Sequence, residues 1–285
     1  MSVSATRTYL EMIKVEHSVF ALPFAFVGMM YAAGGWPGWR VFGLVVLAMV
    51  SARSAAMALN RLADAKIDAL NPRTASRAIP RGDLKVPQVV AFLVVSVALF
   101  FAAAALLNPL TLALAPLALL VLMFYSYTKR FTWLCHLFVG LSLGLAPAAA
   151  WVAVTGEFSW APLFWILAVM FWTGGFDILY ALQDEEFDRA NGLHSIPAKF
   201  GRKRAIWISR AFHLLVIVFL VLAVLRVGAG IAYFVGCAFA AALLTYEQSL
   251  VSEEDISKLN FAFFTLNGYV SIGFFAFCLV DILLR

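Results

Sequence analysis

Nine long apolar runs are the feature that most constrains this chain. Each run is about 18 to 25 residues long, which is the length an α-helix needs to cross the hydrocarbon core of a bilayer. Only 13% of the 285 residues are charged, about half the share of a typical soluble domain, so a water-soluble globule is excluded. The runs cover residues 18–35, 40–59, 88–106, 110–127, 133–153, 160–181, 206–226, 229–247 and 260–284.

These runs predict an all-α membrane protein of about nine transmembrane helices, with residues 1–285 forming a single integral-membrane domain in the lipid bilayer. We expect no nucleic-acid partner, because the net charge of +5 comes from Lys and Arg in loops between apolar runs. The three cysteines lie inside apolar runs without metal or disulfide spacing, so we expect them to be core residues. They are Cys135, Cys237 and Cys278.

The basic residues are concentrated on one side of the predicted membrane. All but three of the 21 Lys and Arg lie at the N-terminus, in the longer connections or at the adjoining helix ends. The exceptions are Arg40, Arg226 and Arg285. The positive-inside rule therefore predicts that the N-terminus and the longer connections are cytoplasmic. We expect a bacterial or archaeal cytoplasmic membrane, with the active site opening to the cytoplasm.

The acidic residues form a weak internal repeat. The second and sixth runs each end in two aspartates four residues apart, followed by an Ile-Pro pair and a Gly. The pairs are Asp64 with Asp68 and Asp184 with Asp188. Acidic residues at helix ends are common, but the matching Ile-Pro pair and Gly after both aspartate pairs favour two parallel four-helix halves with a ninth helix added.

The spacing of these aspartates predicts two polar helix faces. Asn60, Asp64 and Asp68 are four residues apart and share one face of the second helix. A similar stripe on the sixth helix consists of Asp177, Tyr180, Asp184 and Asp188. Carboxylates this close repel one another unless cations lie among them, and ligands that are all oxygen favour Mg²⁺.

Basic residues surround both acidic pairs, which predicts a diphosphate site in which Mg²⁺ bridges carboxylate to phosphate. They are Arg61, Lys66, Arg73, Arg77 and Arg81 after the first pair, Lys129 and Arg130 after the fourth run, and Arg189, Lys199, Arg202, Lys203 and Arg204 after the second pair. Positive-inside charge with incidental acidic residues explains the Lys and Arg, but it leaves the matched aspartate spacing unexplained.

Arg53 lies two turns before Asn60, inside an otherwise apolar helix. An ionisable group at that depth is costly unless it is paired. A planar guanidinium suits an anionic substrate group such as a carboxylate. The alternative is a structural salt bridge, for which Asp177 is available.

Four motifs in this chain resemble those of the UbiA superfamily of intramembrane aromatic prenyltransferases. They are Asn60-Arg61-x-x-Asp64-x-x-x-Asp68, Asp177-x-x-Tyr180-x-x-x-Asp184-x-x-x-Asp188, Asn71-Pro72-Arg73-Thr74-x-x-Arg77 and Tyr125-x-x-x-Lys129-Arg130. The resemblance covers essentially the whole chain with its motifs in order. It implies that Mg²⁺ draws charge off the diphosphate of a polyprenyl donor, and that the developing allylic cation alkylates an electron-rich aromatic ring.

The resemblance also implies residue roles. The metal would be bound by Asp64, Asp68, Asp184 and Asp188. Two further residues would be catalytic: Asp177 would orient or deprotonate the acceptor, and Lys129 would contact the diphosphate. Substrate binding would involve Arg53, Asn60, Tyr125, Tyr180, Arg73 and Arg77, with Arg53 on an acceptor carboxylate. We add Lys199 to the substrate-binding residues because of its charge near the second pair.

The acceptor is left open between two carboxylated aromatics, 4-hydroxybenzoate of the ubiquinone route and 1,4-dihydroxy-6-naphthoate of the futalosine route to menaquinone. Prenyl transfer to another acceptor is the alternative within the same class. The stretch Gly192–Ala198 departs from the Lys-Ser-Thr-Ala-like sequence expected in ubiquinone enzymes and resembles the branch associated with menaquinone. A secondary transporter is the alternative from another class, because intramembrane Arg and Asp can mark an ion path. It predicts charges at mid-bilayer, whereas these acidic residues cluster at one rim.

Overall fold

The computed structural model describes residues 3–14 and 18–285, and this part of the chain contains helices and no strands, which confirms the all-α fold. The helices are α1 Val3–Met12, α2 Ser18–Ala33, α3 Trp39–Leu70, α4 Val86–Leu107, α5 Pro109–Thr128, α6 Cys135–Thr155, α7 Leu163–Ala181, α8 Glu185–Ala190, α9 Ile196–Phe200, α10 Arg202–Val227, α11 Ile231–Ser249 and α12 Leu259–Leu283.

Eight spans in the described residues are long and apolar enough to cross a membrane, so the chain is an integral membrane protein. They are α3, α4, α5, α6, α7 together with α8, α10, α11 and α12. The apolar part of α2, Phe20–Ala33, is shorter, and its 14 residues span only about 21 Å. The predicted count of nine spans is therefore not confirmed. The three cysteines are buried and unbonded, as expected.

Short connections close the end of the bundle opposite the aspartates, which we call the far end. Asn108 separates α4 from α5, and its side chain accepts the Thr111 N–H at 2.8 Å, while Pro109 occupies the first position of α5. Gly156 and Gly228 end α6 and α10 with φ angles of 68° and 62°, a left-handed conformation that glycine adopts without strain.

The helix contacts repeat along the chain. α3 packs against α4 as α7 packs against α10, and α4 contacts α5 as α10 contacts α11. α5 contacts α6 as α11 contacts α12, and α2 packs against both α6 and α12. This is an arrangement of two four-helix halves plus one helix, as predicted, but the additional helix is α2 at the start of the chain and not the ninth helix at its end.

Two glycines allow the helices around α6 to approach closely. A Cβ atom at Gly28 of α2 would lie 2.1 Å from the carbonyl oxygen of Pro147. A Cβ atom at Gly140 would lie 2.1 Å from the carbonyl oxygen of Met170 in α7. Membrane helices pack through such small residues because lipid supplies no hydrophobic force between them.

A polar cluster joins the first and last parts of the bundle at the far end. The Tyr31 hydroxyl in α2 donates to Asp281 Oδ2 in α12 at 2.9 Å. Asp281 also accepts the Gly230 N–H at 2.8 Å and Arg285 Nη2 at 2.7 Å. The buried Asp281 carboxylate thereby holds α2, α12 and the α10–α11 turn together.

Two helical segments at the other end extend beyond the predicted apolar runs. α3 continues to Leu70, past the end of its run at residue 59, so one helix carries Asn60, Asp64 and Asp68 as predicted, and its 32 residues span about 48 Å. α7 ends at Ala181 and is followed by a 3₁₀ turn, Leu182–Asp184, before α8 begins. The prediction of one continuous stripe from Asp177 to Asp188 on a single helix is therefore wrong, because the tighter turn changes the helical phase.

Candidate active site

The aspartate rim consists of Asp64, Asp68, Asp184 and Asp188 with the side chains that contact them. The C-terminal part of α3 carries the first two aspartates. Asp184 ends the 3₁₀ turn after α7, and Asp188 lies in α8. Residues 71–85 link α3 to α4 and reach across to the second pair.

Asp64 is almost fully buried, with 2% of its surface exposed, and has three partners. Lys129 Nζ lies 2.8 Å from Oδ2 and Arg130 Nη2 lies 2.9 Å from Oδ1. Asn60 Nδ2 donates to Oδ2 at 3.2 Å, which confirms that these two residues share a helix face. Two cations from the α5–α6 connection thus compensate one buried carboxylate.

Asp68 is held by the loop that follows its own helix. Arg77 Nη1 lies 2.7 Å and 2.8 Å from the two carboxylate oxygens. The Thr74 hydroxyl donates to the Asp68 backbone carbonyl at 3.1 Å. The loop is folded back on the end of α3 by these bonds, which places Arg77 at the rim.

Arg73 of the same loop connects the two halves of the rim. Its Nε donates to Asp184 Oδ1 at 2.8 Å, its Nη2 also contacts Asp184, and its Nη1 donates to the Tyr180 hydroxyl at 3.3 Å. Asn71 Nδ2 donates to Asp184 Oδ1 at 2.9 Å. Burial opposes the charge of Arg73, but its hydrogen bond to Asp184 and that carboxylate's charge raise its pKa above the ordinary value.

Asp188 lies in the first turn of α8, half-buried, within electrostatic range of Asp184, Lys129 and His136. In the described part of the chain, no three His, Cys, Asp or Glu side chains converge on one point. The aspartates therefore form two pairs with basic side chains between them, rather than one cluster of four.

The donor chemistry of this rim fits magnesium. All four acidic side chains supply oxygen, and Asn60 adds an amide oxygen beside the first pair. Mg²⁺ usually takes only one or two carboxylates and completes its shell with water and substrate phosphate, so two separate pairs suit it better than a cage would.

Asp177 lies apart from the rim, and its partner is a residue that the sequence analysis missed. His136, in the first turn of α6, has its Nδ1 atom 2.7 Å from Asp177 Oδ2. Its Nε2 atom accepts the Ile196 backbone N–H at 3.2 Å. The available sequence signal was a histidine at the start of an apolar span, where a polar ring needs partners.

One cavity of about 630 Å³ connects the polar end of the molecule to the far end. At the polar end it is lined by Arg53, Asn60, Tyr125, Asp177 and Tyr180. Apolar side chains of α3, α5 and α6 line its length, and at the far end it is lined by Phe158, Trp160 and Leu163. Most of the predicted substrate-binding residues therefore face one space.

Arg53 is half-buried in α3 and lines this cavity, as its position in an apolar helix predicted. Its Nη2 atom donates to the Lys14 carbonyl at 3.2 Å. The half-buried Tyr125 side chain lies within electrostatic range of Arg53. Tyr180 lies on the other side of the site, with its ring centroid 4.3 Å from that of Phe263 in α12.

Lys199 is the one predicted substrate-binding residue that the structure does not bring to this site. Its side chain is exposed, with Nζ 4.8 Å from the ring centroid of Trp133 and 5.3 Å from that of Phe200. The short helix α9 turns it towards these rings and away from the cavity.

Comparison with known proteins places this arrangement in a family. The sequence model of the UbiA prenyltransferase family matches residues 21–269. The 4-hydroxybenzoate octaprenyltransferase of Vibrio campbellii is 30% identical over 276 residues, which cover 95% of this chain and 96% of that protein. The protein of the same name from Saccharophagus degradans is 32% identical over 252 residues, covering 88% and 83%.

Solved structures have the same fold. The apo structure of a UbiA homologue from Aeropyrum pernix K1 superposes with a TM-score of 0.85 at 35% identity, covering 93% of this chain and 98% of that one. A UbiA homologue from Archaeoglobus fulgidus, bound to GPP and Mg²⁺, superposes with a TM-score of 0.77 at 21% identity, covering 96% and 99%.

Proposed function

The chain belongs to the UbiA prenyltransferase family, and from that premise we propose that it transfers a polyprenyl group from polyprenyl diphosphate to a carboxylated hydroxy-aromatic acid. The observation that carries the proposal is that three kinds of group line one cavity. Asn60 of the aspartate rim, Arg53 with Asp177, and a long apolar wall all line it. These suit a diphosphate, an aromatic acid and an isoprenoid tail respectively.

The rim is the proposed site of the donor diphosphate. Asp64, Asp68, Asp184 and Asp188 would hold Mg²⁺, with Asn60 supporting the first pair. Bound there, Mg²⁺ supplies Lewis-acid stabilisation of the negative charge that develops on the leaving diphosphate. The cations now paired with the aspartates, Lys129, Arg73 and Arg77, would turn to the phosphate oxygens.

This exchange of partners is electrostatically balanced. Asp64, Asp68 and Asp184 would each give up a Lys or Arg and gain metal, while Lys129, Arg73 and Arg77 would each give up a carboxylate and gain phosphate. Opposite charges would thus stay paired, which would limit the desolvation penalty of binding a highly charged ligand.

Arg53 and Asp177 are the proposed acceptor residues. The Arg53 guanidinium would bind the acceptor carboxylate, and Asp177 would accept the hydrogen of the acceptor hydroxyl. Tyr125, beside Arg53, would stabilise the developing allylic cation through its ring or bind substrate through its hydroxyl. Tyr180 lines the cavity one helical turn from Asp177 and forms its wall together with Phe263.

The proposed reaction is an aromatic substitution. The allylic C–O bond breaks and its electron pair leaves on the diphosphate. A ring carbon ortho to the acceptor hydroxyl forms the new C–C bond as the hydroxyl proton passes to Asp177. The ring C–H proton is then lost to the diphosphate, and Asp177 returns its proton to the oxygen, which restores the aromatic ring and the free carboxylate.

Two acceptors have separate support. The names of the bacterial relatives favour 4-hydroxybenzoate. The stretch Gly192–Ala198, which resembles the menaquinone-associated branch, favours 1,4-dihydroxy-6-naphthoate. We further propose a cytoplasmic membrane with the aspartate rim on the cytoplasmic side, supported by the basic residues at that end.

The deciding experiment is an assay with purified protein in lipid vesicles, Mg²⁺ and a radiolabelled polyprenyl diphosphate. The two acceptors are offered separately, beside 4-hydroxybenzyl alcohol, which lacks the carboxylate. We expect prenylated product with one or both acids, little with the alcohol, and none with EDTA until Mg²⁺ is restored.

Equal rates with the alcohol and the acid would contradict the carboxylate assignment. Folded protein that yields no product with any acceptor would contradict the transferase proposal. The transporter alternative predicts no product and movement of a labelled solute into the vesicles, which the same preparation can measure.

A further inference from the structure

We infer that His136 is a positioning residue that orients Asp177 towards the acceptor and ties it to the segment that carries the second aspartate pair. The inference rests on the proposed function, because it assigns the orientation of the acceptor's proton-accepting group. It begins from the buried contact between His136 Nδ1 and Asp177 Oδ2, at 2.7 Å.

The backbone fixes which nitrogen of the ring carries the proton. The Ile196 N–H donates to His136 Nε2 at 3.2 Å, so Nε2 must present a lone pair. The proton of the neutral ring therefore lies on Nδ1, which donates to Asp177. The Ile196 amide thus fixes the tautomer in which His136 Nδ1–H donates a hydrogen bond to the Asp177 carboxylate.

The exposures of the two side chains assign their roles. The His136 side chain is 3% exposed and does not line the cavity, so it does not touch substrate. The Asp177 side chain is 28% exposed, and it does line the cavity. His136 holds only Oδ2, which leaves Oδ1 for the hydroxyl of an acceptor.

The same ring belongs to a set of contacts between two parts of the rim. The His194 N–H donates to the Lys129 carbonyl at 2.7 Å, and Cys135 Sγ lies 3.3 Å from the His194 carbonyl. With the Ile196 contact, these bonds attach residues 194–196 to the α5–α6 connection and to the first turn of α6. Asp184 and Asp188 precede that segment, so one ring sets the acceptor carboxylate and the donor rim in a fixed relation.

A pair of substitutions separates positioning from packing. In His136→Gln, the side-chain amide can still donate to Asp177 and accept from Ile196, whereas His136→Leu fills the space without polar atoms. We expect His136→Leu to lower kcat by about 10 to 100-fold, the usual effect of losing a group that orients an active-site side chain. The KM for the prenyl donor should change by less than about twofold, and His136→Gln should retain most of the activity.

His213 supplies a matched control, because it is also a buried histidine in a transmembrane helix. It contacts Gln248 at 3.0 Å, and neither residue lines the cavity. His213→Gln should therefore leave kcat within about twofold. Equal losses in His136→Gln and His136→Leu, or a matching loss in His213→Gln, would overturn the positioning role.

A second measurement does not depend on turnover. In protein labelled with ¹⁵N-histidine, the His136 signals are those missing from His136→Gln. We expect a neutral ring with the proton on Nδ1, and a changed Nδ1 shift in Asp177→Asn.

A proton on Nε2, or no response to Asp177→Asn, would overturn the inference. Because this readout needs no substrate, it stands even if the assay finds no prenyl transfer. It therefore separates failure of the inference from failure of the proposed function.

Discussion

Each aspartate pair of the rim includes a carboxylate whose charge is held by a basic side chain from another segment. Asp64 is held by the α5–α6 connection and Asp184 by the loop after α3. These partners lie 65 and 111 residues away along the chain. Loss of one rim carboxylate therefore removes a proposed metal ligand and also releases a cation from its position.

Replacing rim aspartates tests the donor site. We expect Asp64→Asn and Asp184→Asn each to lower turnover by about 10²-fold or more, because each removes charge opposite the leaving diphosphate. Asp83→Asn is the matched control, since Asp83 pairs with Arg81 in the same loop region but lies outside the rim. Rates are compared at saturating Mg²⁺, with thermal unfolding as the test of folding. An active Asp64→Asn or Asp184→Asn protein would contradict the donor site.

Arg53→Lys tests the acceptor site while keeping the positive charge. A lysine cannot make the paired, planar contact of a guanidinium with a carboxylate. We expect the KM for the acid acceptor to rise by about 10 to 100-fold, the equivalent of losing a charged hydrogen bond of about 1.5–3 kcal/mol. The KM for the donor should be nearly unchanged. An equal rise in both would show that Arg53 acts on the structure of the site through its contact with the Lys14 carbonyl.

Helices were well predicted from apolar length, but their breaks were not. The run 160–181 identified α7, yet nothing in its hydropathy indicated that Leu182–Asp184 would tighten into a 3₁₀ turn. Asp184, at the end of that turn, accepts hydrogen bonds from Arg73 and Asn71, and such tertiary contacts leave no trace in hydropathy. The continuation of α3 past its apolar run was predicted from the four-residue spacing of Asn60, Asp64 and Asp68, because the charged end of the helix has no hydropathy signal.

The residue types of the site were predicted better than the contacts between its residues. Aspartate spacing indicated both pairs of the rim, because the spacing of residues within a short segment is a local property. His136 was missed because its role depends on Asp177, 41 residues away. Lys199 was grouped with the substrate residues on charge alone, whereas the α9 turn places it beside Trp133.

Gly140 provides a test at the level of helix packing. A methyl group there would meet the Met170 carbonyl, a backbone atom that cannot rotate away. We expect Gly140→Ala to lower the free energy of unfolding by about 1–3 kcal/mol, the usual cost of overpacking. Gly43→Ala is the control, because Gly43 in α3 has no atom within 4 Å of the added group, and alanine favours the helix by up to about 1 kcal/mol. Thermal unfolding in detergent compares them, and equal midpoints would contradict the close approach.

The cavity extends through most of the membrane-spanning part of the molecule. Ala149 lines it on α6, 14 residues after Cys135, or about 21 Å from the start of that helix. A bulky residue there should block a long isoprenoid tail but leave room for a short one.

We expect Ala149→Phe to lower the rate with a long polyprenyl diphosphate at least about tenfold more than the rate with geranyl diphosphate. Ala102→Phe, an exposed position on α4 that does not line the cavity, should affect neither. An unchanged ratio of the two rates would show that the tail does not follow this path.

The orientation of the whole molecule can be measured with a pair of single cysteines. Glu157→Cys lies at the far end and Glu254→Cys at the aspartate end, and both glutamates are exposed. The three native cysteines are buried, so they add little labelling. In intact bacterial cells, a membrane-impermeant maleimide should label Glu157→Cys and leave Glu254→Cys unlabelled until the cells are opened. The reverse pattern would place the aspartate rim outside.

The contact between Tyr31 and Asp281 joins residues that are 250 positions apart. A ribosome has therefore delivered α2 to the membrane long before α12, the helix that covers it, has been made. For most of synthesis this side of the growing bundle faces lipid, because Asp281, the hydrogen-bond partner of the Tyr31 hydroxyl, has not yet been made. We expect one of two events before α12 is inserted. Either an insertase covers this face of the newly inserted chain, or α2 docks onto the bundle only after α12 has been made.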